Sequence, residues 1–137
     1  MESFVAQRRA LKIAVAAAAL VPVLAGLWGV IAGLGAPVDS LDSHHRFMSG
    51  ILLGAGLGFW WTIPGIERRG MAFRMLTALI VTGGLARLGA ALAVGGRPVV
   101  WAALFMELVI TPALCLWRER VDRMDPDAPP RYGGPWG

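Results

Sequence analysis

Cysteine occurs once in the 137-residue chain, at Cys115. One thiol forms no intrachain disulfide and no thiolate metal cage, so Cys115 is expected to be a small apolar side chain in a packed interior. Charge is scarce too. Asp, Glu, Lys and Arg together make up 16% of the residues, against about 25% in ordinary soluble domains. A nucleophile–base arrangement, a phosphate-binding glycine loop and a haem-attachment motif are all missing. No catalytic residue and no metal site is therefore assigned, and an enzymatic role is not favoured. The long apolar segments also lack a polar stripe at 3.6-residue spacing, which a soluble amphipathic helix would carry.

Hydrophobic residues fill 56% of the chain and the mean hydropathy is +0.60. They fall into four runs, near Ile13–Leu34, Phe47–Ile63, Met75–Val94 and Val99–Trp117. Each is close to the length that crosses a hydrocarbon core of about 30 Å. The expected fold is an all-α integral membrane four-helix bundle, with helices over about 11–34, 44–63, 73–95 and 98–118 in one domain, 1–121. The Pro- and Gly-rich segment 122–137 reads as a mobile cytoplasmic tail. Arg8, Arg9 and Lys12 before the first run imitate a signal peptide. The run is longer than a signal core, though, and the plausible cut at Ala36 is followed by Pro37, so an uncleaved first helix is expected.

A net charge of +4 would suggest nucleic acid in a soluble protein. Here the charges sort by side. Arg8, Arg9 and Lys12 precede the first helix, Arg68, Arg69 and Arg74 lie between the second and third, and Arg118, Arg120, Arg123 and Arg131 follow the fourth. The positive-inside rule then puts both termini in the cytoplasm, an N-in/C-in bundle, and accounts for the basic excess without nucleic acid. Trp60, Trp61 and Trp117 near one boundary and Trp101 near the other fit an interfacial belt. Gly35-Ala36-Pro37-Val38 and Gly96-Arg97-Pro98-Val99 suggest that both returning helices begin near a proline.

Ionisable groups at membrane depth cost about 2.5–3.5 kcal/mol each on insertion scales and normally meet a partner. Arg87 lies about 10 Å from the outer end of the third helix and Glu107 about 13 Å into the fourth, at 1.5 Å per residue. Helices joined by a short loop run antiparallel, so the matched depths predict an Arg87–Glu107 pair. Arg46 has two readings. A second helix starting near Ser43 lets it snorkel to the outer surface; a start near Pro37 puts it level with Glu107. Arg46, Arg87 and Glu107 are thus the candidate cluster, a structural staple or a polar ligand site. Gly50, Gly54 and Gly58 below Arg46, and Gly83 and Gly84 beside Arg87, are expected to allow close helix packing, within the chain or across a dimer. Pro112 is expected to bend the fourth helix and Pro22 the first. His44 and His45 point about 100° apart on a helix and do not chelate together. Asp39, Asp42 and His45 share a face but read as solvated interfacial groups.

"HHRFMSG", "GGLARLG" and "MELVITP" resemble a family of small bacterial four-helix membrane proteins catalogued as a domain of unknown function, over about residues 10–120. The tail after Val121 departs from it. The resemblance implies a bacterial cytoplasmic (inner) membrane and supports the three-charge cluster. It supplies no activity. The leading expectation is a structural or accessory subunit of a larger membrane complex. A binding protein or enzyme for a small amphiphile, with a lipid or quinone in an outer-leaflet cavity, is the alternative, and a dimeric transporter ranks third. Membrane lipids, other subunits or a second copy are the expected partners, and no cofactor is required.

Overall fold

The computed structural model describes residues 2–35 and 39–125. Pro37 and the tail from Pro126 on, with Arg131, lie outside the described residues. Four helices account for almost all the rest: α1 (Glu2–Ala32), α2 (Asp39–Thr62), α3 (Gly70–Val94) and α4 (Pro98–Arg123). A short 3-10 turn, Ile63–Gly65, follows α2. All four helices are long and apolar enough to cross a membrane. The chain is a four-helix, all-α protein of membrane-spanning type.

The helices run longer than the apolar stretches alone predict. α1 starts at Glu2 because its basic first turns still pack: Phe4 rests against the core and Leu11 is fully buried. Pro22 is accommodated inside α1, which stays helical through it. α3 ends where Gly95 takes φ +83°, a left-handed value that favours glycine. Pro98 then starts α4 at its first turn, where a missing N–H costs nothing.

We call the end with Glu2, the turn 65–70 and Arg123 basal, and the end with residues 33–35 and 95–97 apical. The core is basal. Leu11, Val15 and Ala19 of α1, Phe59 of α2, Ile66 of the turn, Phe73 of α3 and Val121 of α4 form one buried cluster. The Phe59 and Phe73 rings meet edge-on, with centroids 5.0 Å apart, a favoured aromatic geometry. Trp60 Nε1 donates to the Ala16 carbonyl at 3.0 Å, tying α2 to α1.

Small residues set how closely the helices approach, but only partly at the expected places. Gly58 faces Leu76, and Gly84 faces Glu107 and Leu108. Gly50, Gly54 and Gly83 have no neighbouring-helix atom within 4 Å of where a methyl would stand. The tight α1–α2 seam is made instead by Gly26, Gly29 and Gly56: a methyl on Gly26 would lie 2.5 Å from the Leu53 backbone nitrogen. In lipid, such backbone proximity replaces the hydrophobic drive that assembles soluble helices.

Candidate functional site

Arg87 and Glu107 are brought together. The turn Gly95–Arg97 folds α4 back along α3, and Ala91 and Leu104 are buried in that contact. Glycine at position 84 lets the backbones close: a methyl there would stand 2.9 Å from the Glu107 Cβ. Arg87 Nε donates to Glu107 Oε2 at 3.1 Å and Nη2 lies 3.0 Å from Oε1. The contact is a side-on fork, the strong form of an Arg–carboxylate pair. The Glu107 side chain is 13% exposed and that of Arg87 42%.

Glu107 sits in a π-helical turn, Met106–Ile110. The Thr111 N–H reaches back five residues to the Met106 carbonyl, and Thr111 Oγ1 donates to the same oxygen at 2.8 Å. Pro112 follows at once. It has no N–H, so the regular ladder fails here whatever the local geometry. The sequence predicts a bend at this proline; what the structure shows just before it is a helix widened by one residue. That insertion shifts the rotational phase of everything on its far side. Such turns are common at functional sites.

The stripe of α3 that carries Arg87 changes character along its length. Phe73 is fully buried, Leu76 lies against Gly58, and Ile80 packs on the core. Seven residues on from these come Gly83, Arg87 and, further, Ala90 and Val94, all exposed. α2 behaves likewise. Gly58 and Ala55 are covered, and seven residues towards the apical end Ile51 and Met48 are 39% and 49% exposed. α2 and α3 therefore meet basally and part apically, and Arg87 stands on the wall of that opening. Shallow hollows run along Val5, Arg9 and Ile13 of α1 and along Leu116, Arg120 and Arg123 of α4. Both are on outward faces near the basal end, and neither borders the pair.

Arg46 is elsewhere. Its Nε pairs with Asp42 Oδ2 at 2.7 Å, and its Nη1 donates to the carbonyls of Val30 and Ile31. Asp42 Oδ1 accepts the Leu34 N–H at 2.6 Å. Together they close the C-terminal end of α1, where the last carbonyls have no partner in the helix. Gly33, at φ +59°, takes the turn beneath; a methyl on it would strike both the Asp42 carboxylate and the Arg46 guanidinium. Asp42 is thus engaged by Arg46 and Leu34, and His45 lies beside Gly29 and Ser49. Among the described residues no group of three His, Cys, Asp or Glu side chains is placed to share a metal.

The basal end holds a polar network that the charge-by-side reading passed over. Arg118 is 3% exposed and donates to the carbonyls of Ile66 and Glu67 at 3.0 and 2.9 Å, with Asp122 at 3.6 Å. Glu67 takes Arg8 and, at 3.9 Å, Lys12. Arg74 pairs with Glu119 at 2.9 Å, and Trp117 Nε1 donates to Gln7 at 2.9 Å. Arg69 stacks on Trp61, 3.9 Å from the ring centre, and donates to its carbonyl. All four helices join here. Burial pushes the Glu67 carboxyl up, but its own backbone N–H, Arg8 and Lys12 outweigh this and hold it below its ordinary value. One sequence signal for Arg118 exists: it shares a helix face with Leu114 and Val121, whereas Arg120 and Arg123 do not.

The sequence pattern of the DUF4345 family, a domain of unknown function, matches residues 10–118. No curated protein and no solved structure matches the chain.

Proposed function

The chain belongs to the DUF4345 family, and we propose that it is a multi-pass membrane protein that holds a small amphiphile in the apical half of its bundle, with the polar group against the Arg87–Glu107 pair. The carrying observation is the parting of α2 and α3: the stripe buried at Phe73 and half-buried at Ile80 emerges at Arg87. An ionised group on an open wall inside hydrocarbon asks for something to cover it. In an N-in/C-in orientation, which the basal clustering of arginines favours, the opening faces the outer leaflet of a bacterial cytoplasmic membrane. No catalytic step is assigned to the site.

The test is native mass spectrometry of the full chain extracted in a mild detergent. The wild type should carry a lipid- or quinone-sized adduct, and the Arg87→Met/Glu107→Met double variant should fold and lose it. A wild type without adduct, or a double variant that keeps it, refutes the reading. An accessory subunit is the second reading. It is favoured by how little of α3 and α4 the chain itself covers: 17% and 6% of their most apolar stretches are buried, against 28% for α1 and for α2. A stoichiometric partner chain on the α3–α4 face, displaced by a charged substitution at the exposed Phe105, is its signature.

A further inference from the structure

Resting on that binding site, we infer that the group received at Arg87 is an electroneutral hydrogen-bond acceptor, the carbonyl of an ester-linked lipid or of a quinone, and not an anionic phosphate or carboxylate. The argument begins with the guanidinium's five N–H donors. The fork to Glu107 uses Nε and one Nη2 hydrogen. The end-on edge, Nη1 and the second Nη2 hydrogen, has no acceptor among the described residues. Arg87 is the more exposed member of the pair, so this edge is the part of the fork left for something outside the chain. Donors at this depth are expensive without a partner, because lipid tails accept nothing.

Charge then selects the acceptor. Arg87 and Glu107 sum to zero. Arg46, the cation that would have made the cluster positive, is neutralised by Asp42 and spent on the carbonyls of Val30 and Ile31. An anion seated on the free edge would give the site a net charge of −1 within hydrocarbon, with Glu107 one guanidinium width away. A carbonyl oxygen accepts from the same edge and leaves the site neutral. The flanks fit a slim apolar body: Gly83 and Ala90 precede and follow Arg87 on its exposed side, and nothing of the chain stands within 4 Å of a methyl placed on Gly83. Opposite, α2 offers Ile51 and Met48.

The experiment titrates the full chain, in neutral-detergent micelles, with four probes followed by intrinsic tryptophan fluorescence and native mass spectrometry. Two are neutral, a short-chain diacylglycerol and a short-chain ubiquinone analogue; two are anionic, the matching phosphatidic acid and a fatty acid. The wild type should bind a neutral probe at least about tenfold more tightly than its anionic counterpart, the scale of one charge-assisted hydrogen bond. Which neutral probe wins separates a lipid ester from a quinone. Glu107→Gln frees Arg87 with a net charge of +1 and should move the preference towards phosphatidic acid by about tenfold. A wild type that prefers phosphatidic acid, or a Glu107→Gln variant with unchanged preference, overturns the neutral-acceptor inference while leaving a binding site in place. Binding of every probe that is indifferent to Arg87→Met/Glu107→Met overturns the site itself.

Discussion

Mutating the Arg87–Glu107 pair one residue at a time, and then together, separates an ion pair from two helices that merely touch. Arg87→Met leaves Glu107, 13% exposed, without its counter-charge. The expected cost is about 2–3 kcal/mol, the insertion penalty of an unpaired charge. Glu107→Met strands an arginine that is 42% exposed and free to turn towards the apical surface, so about 1–2 kcal/mol is expected. If the effects were independent, the double variant would lose about 3–5 kcal/mol. Removing both charges removes the penalty with them, and about 1 kcal/mol of lost contact should remain. The coupling is then about 2–4 kcal/mol. Neutral hydrogen bonds between membrane helices average about 0.6 kcal/mol, so two of them would give little more than about 1 kcal/mol. The assay is reversible unfolding in bicelles, by denaturing-detergent titration or steric trapping, on all four proteins. Additivity within about 0.5 kcal/mol would refute the claim that these side chains meet as ions in a low-dielectric interior.

Other predictions concern the ends of the bundle. Glu67 titrates below its ordinary value of 4.5 in the fold, so its contribution is fully present above that pH and is lost as the pH falls through the depressed value. Thermal unfolding in micelles should weaken from pH 6 to pH 3, by about a few degrees, and Glu67→Gln should flatten that acid limb; an unchanged limb counts against the network. Arg118→Met removes the donor to two carbonyls inside a site that is 3% exposed, and should cost about 3–5 kcal/mol while Arg120→Met, on the exposed face, costs under about 0.5 kcal/mol. Equal effects would refute the buried role. Gly33→Ala combines a left-handed backbone with a collision against Asp42 and Arg46, and should cost about 1–2 kcal/mol or more; Gly50→Ala, which meets nothing, should be neutral or stabilising by the same unfolding assay.

The spans were readable because hydrophobicity over about 20 residues is a one-dimensional signal, and Arg87 with Glu107 was readable because a short turn makes depth along one helix predict depth along the next. Arg46 was not, for a definite reason. Its partner Asp42 lies four residues away in the sequence, but the carbonyls of Val30 and Ile31 that take its Nη1 leave no mark there. Arg118 was hidden by company: among Arg118, Arg120 and Arg123 a topological explanation for basic residues is already sufficient, and only the helical phase it shares with Leu114 and Val121 sets it apart. The glycines misled in the opposite way. The four-residue spacing of Gly50, Gly54 and Gly58 is conspicuous, but α2 meets α1 through Ser49, Leu53 and Gly56, because α1 supplies Gly26 and Gly29 for that contact. A small residue marks where a helix can come close; only the partner's sequence says whether it does. The π turn is intermediate. Pro112 announced a fault in the ladder, while its form depended on Thr111 closing back on Met106.

Three arginines near the ends of these spans share a task that Arg87 does not. A helix leaves its last carbonyls without donors, and at a membrane boundary water satisfies them less readily than in bulk solution. Arg46 serves the end of α1, Arg69 reaches Trp61 near the end of α2, and Arg118 holds the carbonyls of Ile66 and Glu67 in the turn that follows. Each has a structural task fixed by geometry near a helix end. Arg87 is seven residues inside α3, where the carbonyls already have donors of their own, and it meets only a carboxylate. A bundle of this shape needs no such residue for its backbone. Methionine and leucine would fill both positions of the pair without the cost of burying charge, and buried ion pairs replaced in this way are often neutral or stabilising. The pair is therefore the least explained expense in the fold, and it stands where α2 and α3 part. That coincidence of an unneeded charge with an unfilled opening is what makes Arg87, rather than the better-connected basal arginines, the place to look for a ligand.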